Sequence, residues 1–158
     1  WHELNNAAAA FPVAGRTIAA FGVSDAHRHW DRLEVLPPLV ADLKAQSPDL
    51  TIGVSHAPYR RVLDSFTGLG ADMIFAGHTH GGQVRMPGFG ALVANCDIPL
   101  DQARGLSTWR KEGRSVPLNV SAGVGHSIYA PVRFACRPEV SLITLTAVEA
   151  DGGSGGER

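Results

Sequence analysis

Three histidines in this sequence each follow an apolar run that is typical of a buried strand. His56 comes after "TIGVS", and both His78 and His80 come after "MIFAG". Because ligands bind at the carboxyl ends of strands in open α/β sheets, we expect these side chains to lie near one another. Imidazole is both a metal ligand and a common general base. The pattern therefore predicts a metal or catalytic site, whereas a single histidine at a strand end is more often a solvated loop residue.

Two glycines follow the histidine pair directly, in the stretch "GHTHGGQ". Gly81 and Gly82 can adopt positive φ, and they leave room for a ligand to approach the backbone. An ordinary tight turn would need the same residues. The glycines therefore fit a ligand site without requiring one.

The elements that must position these residues follow one another in a regular pattern. Residues 17–25 form an apolar strand, "PPLVADLKAQ" a helix, residues 50–58 a strand, residues 59–70 a helix and "ADMIFAG" a strand. This alternation predicts an α/β fold with a layered sheet. After Gly81 the chain has short β-like runs broken by glycine and proline, and "EVSLITLTAV" reads as a last strand. That part predicts a more antiparallel arrangement.

Composition excludes several classes of protein. The chain has 158 residues and a net charge of -1, which predicts one domain or a large part of one and gives no field that would attract nucleic acid. Cys96 and Cys136 lack the spacing of a thiolate metal site, so we expect buried free thiols. No apolar run reaches the roughly 18 residues of a membrane span. The compartment stays open between the cytoplasm and the membrane periphery.

"SHAPYRRVL" followed by "FAGHTHGGQVRMPGFGAL" resembles the C-terminal half of the calcineurin-like metallophosphoesterases. The likeness is greatest to the bacterial branch that carries Gly-His-Thr-His-Gly-Gly-Gln. It implies the C-terminal half of a four-layer α/β/β/α sandwich, which we place at residues 1–148. Residues 149–158, "EADGGSGGER", have the composition of a flexible tail.

The resemblance also implies a metal centre with two divalent ions, Mn, Fe or Zn. His56 and His78 would bind one ion and His80 the other. A metal-bound hydroxide would then attack a phosphomonoester or phosphodiester. A further glycine-rich loop of this branch approaches the rim of the site. The residues that we expect to line the substrate rim are Gly81, Gly82, Gly123, Gly125 and His126.

The sequence departs from the family in one respect. The family's other metal motifs, including the Asp that bridges the two ions, are missing from residues 1–55. Asp25 and His27 form a literal Asp-x-His, but they lie in a loop that we expect to shape the substrate pocket. We therefore expect a half-domain, part of a longer protein, that is inactive alone. It would associate with its missing N-terminal half or with a second copy.

The expected substrate is a small phosphoester or a lipid-linked one. The alternative to an enzyme is a non-catalytic module that binds a single metal ion or another protein. The upstream sequence of the parent protein would distinguish them, because only the enzyme needs carboxylate ligands between two adjacent dications.

Overall fold

The computed structural model describes residues 2–146 of the chain. Its regular elements are eight strands and two helices, joined by loops that contain four short 3-10 turns. In chain order they are β1 (Ala7–Val13), β2 (Arg16–Gly22), α1 (Leu36–Lys44), β3 (Leu50–Val54), α2 (Arg60–Gly68), β4 (Met73–Ala76), β5 (Arg85–Met86), β6 (Gly90–Ala91), β7 (Gly105–Lys111) and β8 (Arg114–Val120).

Six of the strands form one mixed sheet in the order β1-β2-β3-β4-β8-β7, and β5 pairs with β6 in a separate hairpin. The four central strands are parallel, while β1 and β7 run antiparallel at the two edges. Each edge strand is joined to its neighbour by a two-residue turn, Ala14–Gly15 or Glu112–Gly113, and all four residues have positive φ. Such turns match the right-handed twist of the strands that they connect.

Both helices pack on the same face of this sheet. The register places Phe21, Gly53, Ile74 and Leu118 side by side across four strands. Three of these side chains belong to one buried cluster that also contains residues of α1 and α2. Only glycine fits at position 53, because a Cβ there would lie 2.5 Å from the ring of Phe66 in α2.

The opposite face of the sheet is covered only in part within the described residues. Val54 remains 36% exposed, and Phe75 is half-buried. Residues 121–124 and 139–143 lie over this face around a cavity of about 400 Å³ that Phe75 also lines. The described residues therefore make one helix layer on one sheet layer. This confirms the α/β class, and the assignment of residues 1–148 to half of a four-layer sandwich stays a prediction.

The five elements predicted before Gly81 are all present, with ends that differ by a few residues. The predicted last strand was wrong over residues 139–146, which form no strand. This segment runs beside the loop at Gly123, where the Glu139 amide donates to the Gly123 carbonyl (2.9 Å), and not along a sheet edge. The expected tail at residues 149–158 lies outside the described residues.

The structure also bears on the expected free thiols and on the expected absence of a membrane-spanning segment. Cys136 is buried and Cys96 half-buried, and both are free. Burial raises the pKa of the Cys96 thiol to about 12, with Asp97 adding to the effect. Among residues 2–146, neither helix has the length and apolar character needed to cross a bilayer.

Candidate functional site

The ends of β3 and β4 lie side by side and bring two of the predicted histidines together. The Ser55 amide donates to the Phe75 carbonyl (3.0 Å), and the Gly77 amide donates to the His56 carbonyl (2.9 Å). These bonds continue the strand pairing past the last residues of both strands. As a result, Nε2 of His56 lies 3.2 Å from Nδ1 of His78.

The backbone that carries His78 and His80 has an uncommon conformation. His78 and His80 have φ of 65° and 51°, a region that residues with a Cβ rarely adopt. The Thr79 amide donates to the Gly77 carbonyl (2.7 Å), which makes His78 the centre of a γ-turn with positive φ, a rare and strained form. Thr79 is buried, and its hydroxyl donates to the Ala103 carbonyl (2.7 Å). Tertiary contacts therefore hold a turn that local preference disfavours.

His80 faces different neighbours from those of His78. The Gly125 backbone, Arg133 and His126 lie close enough to its ring to influence its charge. Within the described residues, Arg133 forms no ion pair with a carboxylate. Its guanidinium donates to the carbonyls of His80 (3.2 Å), Ala122 (2.7 Å) and Gly123 (3.1 Å). Arg133 thus joins the histidine turn to the glycine-rich loop.

The four glycines predicted at the rim fall into two pairs. A Cβ on Gly81 would lie 2.9 Å from the sulfur of Cys136, and one on Gly82 would lie 2.4 Å from the Cβ of Ala91. Protein atoms therefore fill the space that these two glycines leave. Gly123 and Gly125 have no neighbour within 4 Å of their Cβ positions, and His126 beside them is exposed. The substrate-rim role of all five residues stays a prediction.

Two further side chains, His27 and Asn95, contact the His78 ring, and Tyr59 contacts His27. The His27 ring centroid is 4.4 Å from that of His78, and Nδ1 of His27 lies 2.9 Å from the Tyr59 hydroxyl. Nδ2 of Asn95 lies 3.2 Å from Nε2 of His78. His27 belongs to the loop that was expected to shape the pocket. The sequence assigned no role to Tyr59, although it stands within "SHAPYRRVL", or to Asn95, which stands in no motif.

The environment keeps His78 and His80 uncharged. Burial, with smaller contributions from the nearby rings of His27 and His56, lowers the pKa of His78 to about 4. Burial also lowers the pKa of His80, with the Arg133 charge as the next cause. Both rings are therefore neutral at physiological pH, which is the form that binds a metal ion.

The donor atoms fit part of a metal site. Two nitrogens bound to one tetrahedral ion of the size of Zn²⁺ would lie roughly 3.3 Å apart, given Zn–N bonds of about 2.0–2.1 Å. His56 and His78 present theirs 3.2 Å apart. However, no group of three or more histidine, cysteine or acidic side chains is gathered in residues 2–146 as a complete ligand set. The residues present fit one ion in part, and they do not complete a centre for two.

Comparison with known proteins finds relatives that are longer than this chain. No protein-family profile matches it. It is 29% identical over 148 residues to the uncharacterized protein YpbG of Bacillus subtilis (strain 168), and the match covers 92% of this chain and 49% of YpbG. It is 36% identical over 74 residues to the phosphodiesterase YaeI of Escherichia coli (strain K12), which covers 47% of this chain and 25% of YaeI. The chain therefore spans half or less of the length of each.

One solved structure was also compared. A Staphylococcus aureus protein assigned as a 5′-nucleotidase, crystallised with alpha-ketoglutarate, aligns with a TM-score of 0.42 and 13% identity. The alignment covers 91% of this chain and 31% of that protein. A TM-score at this level is too low to assign a fold.

Proposed function

We propose that this chain is part of a metal-dependent phosphoesterase and that it supplies the histidine ligands of the metal centre. The observation that carries the proposal is the pair of imidazole nitrogens of His56 and His78, 3.2 Å apart at the ends of neighbouring parallel strands. The similarity to a protein named as a phosphodiesterase supports a phosphoesterase of the metallophosphoesterase type.

Each histidine has a role in this proposal. His56 and His78 hold one divalent ion, and His80, which faces other neighbours, holds the second. Neutral imidazole suits Mn, Fe and Zn, so these ligands do not select among them. When bound, such an ion polarises a phosphoryl oxygen and stabilises the charge that develops there. Asn95 contacts Nε2 of His78. With the Asn95 amide turned so that its Oδ1 accepts a hydrogen bond from Nε2–H, the lone pair of Nδ1, which faces His56, would be free to bind the ion.

The missing ligands limit what the chain does by itself. Two adjacent dications repel one another strongly unless anionic ligands lie between them. The part of the chain that the structure describes gathers no complete ligand set with such carboxylates. We therefore propose that a further segment of the same protein supplies them. The chain as it stands should then hydrolyse phosphomonoesters and phosphodiesters slowly or not at all.

The second candidate is a non-catalytic module that binds a single metal ion. It is favoured by the same observation that limits the enzyme, since the described residues bring only His56 and His78 together in coordinating geometry. In this reading the ion would stabilise the ends of β3 and β4, and no further segment would be required.

Metal content and turnover, measured together, test the proposal. The chain is loaded with Mn or Zn, bound metal per chain is quantified, and hydrolysis of bis(p-nitrophenyl) phosphate is followed. His78→Asn should weaken metal binding at least about tenfold, because loss of one ligand costs more than 1.4 kcal/mol. The matched control is His29→Asn, an exposed histidine that also has positive φ (57°).

The outcomes separate the two candidates. Metal binding that depends on His78, with turnover only in a longer form of the chain that supplies carboxylates, supports the enzyme. One ion and no turnover in either form would favour the single-metal module. Metal binding unchanged by His78→Asn, or lowered equally by His29→Asn, would exclude both.

A further inference from the structure

Two neighbouring loops expose large apolar side chains close to the histidine turn. One is the β5–β6 hairpin with the residues after it, and the other is the segment 124–134. Such side chains are normally covered in a folded protein when several lie together. Six of them are between 58% and 91% exposed, and we call them the apolar loop surface: Phe89, Val93, Ile128, Tyr129, Val132 and Phe134.

The two loops are held together and to the site by Gln83. Its side-chain Oε1 accepts a hydrogen bond from the Ser127 amide (2.8 Å), and its carbonyl accepts one from the Phe134 amide (3.0 Å). The Arg85 amide donates to the Phe134 carbonyl (3.0 Å). Because Gln83 is buried and lies three residues after His80, the apolar loop surface has a fixed position beside the histidine turn.

The charge of these loops differs from that of the whole chain. The chain has a net charge of -1, yet residues 81–96 and 122–138 contain no Asp or Glu. They do contain Arg85, Arg133 and Arg137. Within residues 2–146, none of these three arginines forms an ion pair with a carboxylate. The loops therefore carry uncompensated positive charge around exposed aromatic and aliphatic groups.

We propose that the apolar loop surface docks on an anionic lipid bilayer and seats the histidine turn against its headgroups. Exposed aromatic and aliphatic side chains enter the headgroup boundary of a bilayer, and neighbouring arginines add attraction to anionic lipids. A second copy fits less well, because a two-fold contact through this surface would bring the same arginines together. Docking requires no metal ion, so this proposal stands apart from the phosphoesterase function.

Vesicle flotation with the whole chain tests the docking. The vesicles contain phosphatidylcholine with phosphatidylglycerol, or phosphatidylcholine alone. The chain should float with the anionic vesicles, more weakly at high salt, and poorly with the neutral ones. The double variant Phe89→Ser, Ile128→Ser should bind at least about tenfold more weakly, because two large apolar groups no longer leave water. The control is Val13→Ser, which is 47% exposed at the end of β1 that pairs with the start of β2, at the opposite end of the sheet from the histidine turn.

Several results would overturn the proposal. They are an absence of flotation with anionic vesicles, flotation that the double variant leaves unchanged, and an equal loss of flotation in Val13→Ser. Self-association without lipid that disappears in the double variant would instead assign the surface to a protein contact. His78→Asn should float like the unchanged chain, so a failure of docking and a failure of the metal site are seen separately.

Discussion

At the scale of single residues, the surroundings of His78 decide which chemistry it can perform. Its ring lies against those of His27 and His56, and burial lowers its pKa to about 4. A protonated His78 could not bind a metal ion, and burial beside two other imidazoles disfavours its charge. The environment thus favours the neutral ligand form over the charged one.

This surrounding has a consequence for stability in the metal-free protein. The pKa of His78 is lower in the folded state than its ordinary value of 6.5. Between these two pKa values, the unfolded state therefore binds a proton that the folded state does not bind. The free energy of unfolding should therefore fall as the pH falls from about 6.5 to about 4. The loss should be about 1–2 kcal/mol, less than the full shift would give, because water screens a half-buried ring.

Urea unfolding at both ends of that pH range measures this loss. His78→Asn should show a smaller pH dependence than the unchanged chain, and His29→Asn should show the same dependence as the unchanged chain. If the His78→Asn protein lost as much stability on acidification as the unchanged chain, another group would have to be responsible.

At the scale of elements, the turn after β4 is held in shape by the packing around it. His78, His80, Gly81, Gly82 and Gln83 all have positive φ. Positive φ strains the three of these residues that have a Cβ, and such strain persists only where the surrounding structure enforces it and concentrates at functional sites. Here the Thr79 hydroxyl donates a hydrogen bond to the Ala103 carbonyl, and the Arg133 guanidinium donates one to the His80 carbonyl.

Gly82→Ala tests how tightly the turn is packed. The new Cβ would lie 2.4 Å from the Cβ of Ala91 and 2.8 Å from the carbonyl oxygen of Val93, at a φ of 79°. We expect a loss of about 2–4 kcal/mol in the free energy of unfolding from the combined clash and strain. Thermal and urea unfolding would measure it.

The matched control is Gly68→Ala at the end of α2, where no atom lies within 4 Å of the Cβ position. Alanine is the better helix former there, so the control should gain up to about 1 kcal/mol. Equal effects at both positions would mean that the packing around Gly82 relaxes easily.

At the scale of the whole molecule, the described residues form two layers, and one face of the sheet lacks a complete cover. Val54 lies on that face at the end of β3 and is 36% exposed. A partly covered apolar sheet face favours association. We therefore expect that two copies of the chain associate through this face when no other segment covers it.

Sedimentation equilibrium over a range of concentrations measures this association. The apparent mass should rise with concentration, and Val54→Lys should weaken association at least about tenfold, because a charge cannot be buried there without a partner. Val13→Lys, at the far end of β1 and 47% exposed, should leave it unchanged. A single monomer mass at every concentration would contradict the expectation.

The sequence by itself determined the α/β class and the ends of the strands at which the histidines stand. Apolar runs of strand length that alternate with helical periodicity are local signals, and they predicted every element between residues 16 and 77. The motif "GHTHGG" likewise predicted where a site would lie.

Only the tertiary structure decided the rest. β1 was not predicted, because its run of four alanines (Ala7–Ala10) favours a helix and becomes a strand only by pairing with β2. "EVSLITLTAV" was predicted as a strand, but a strand needs an edge to pair with, and residues 139–146 pair with no strand. The contacts of Asn95, Tyr59 and Arg133 join residues far apart in the chain. Spacing along a sequence carries no information about such contacts, because they depend on how distant segments pack.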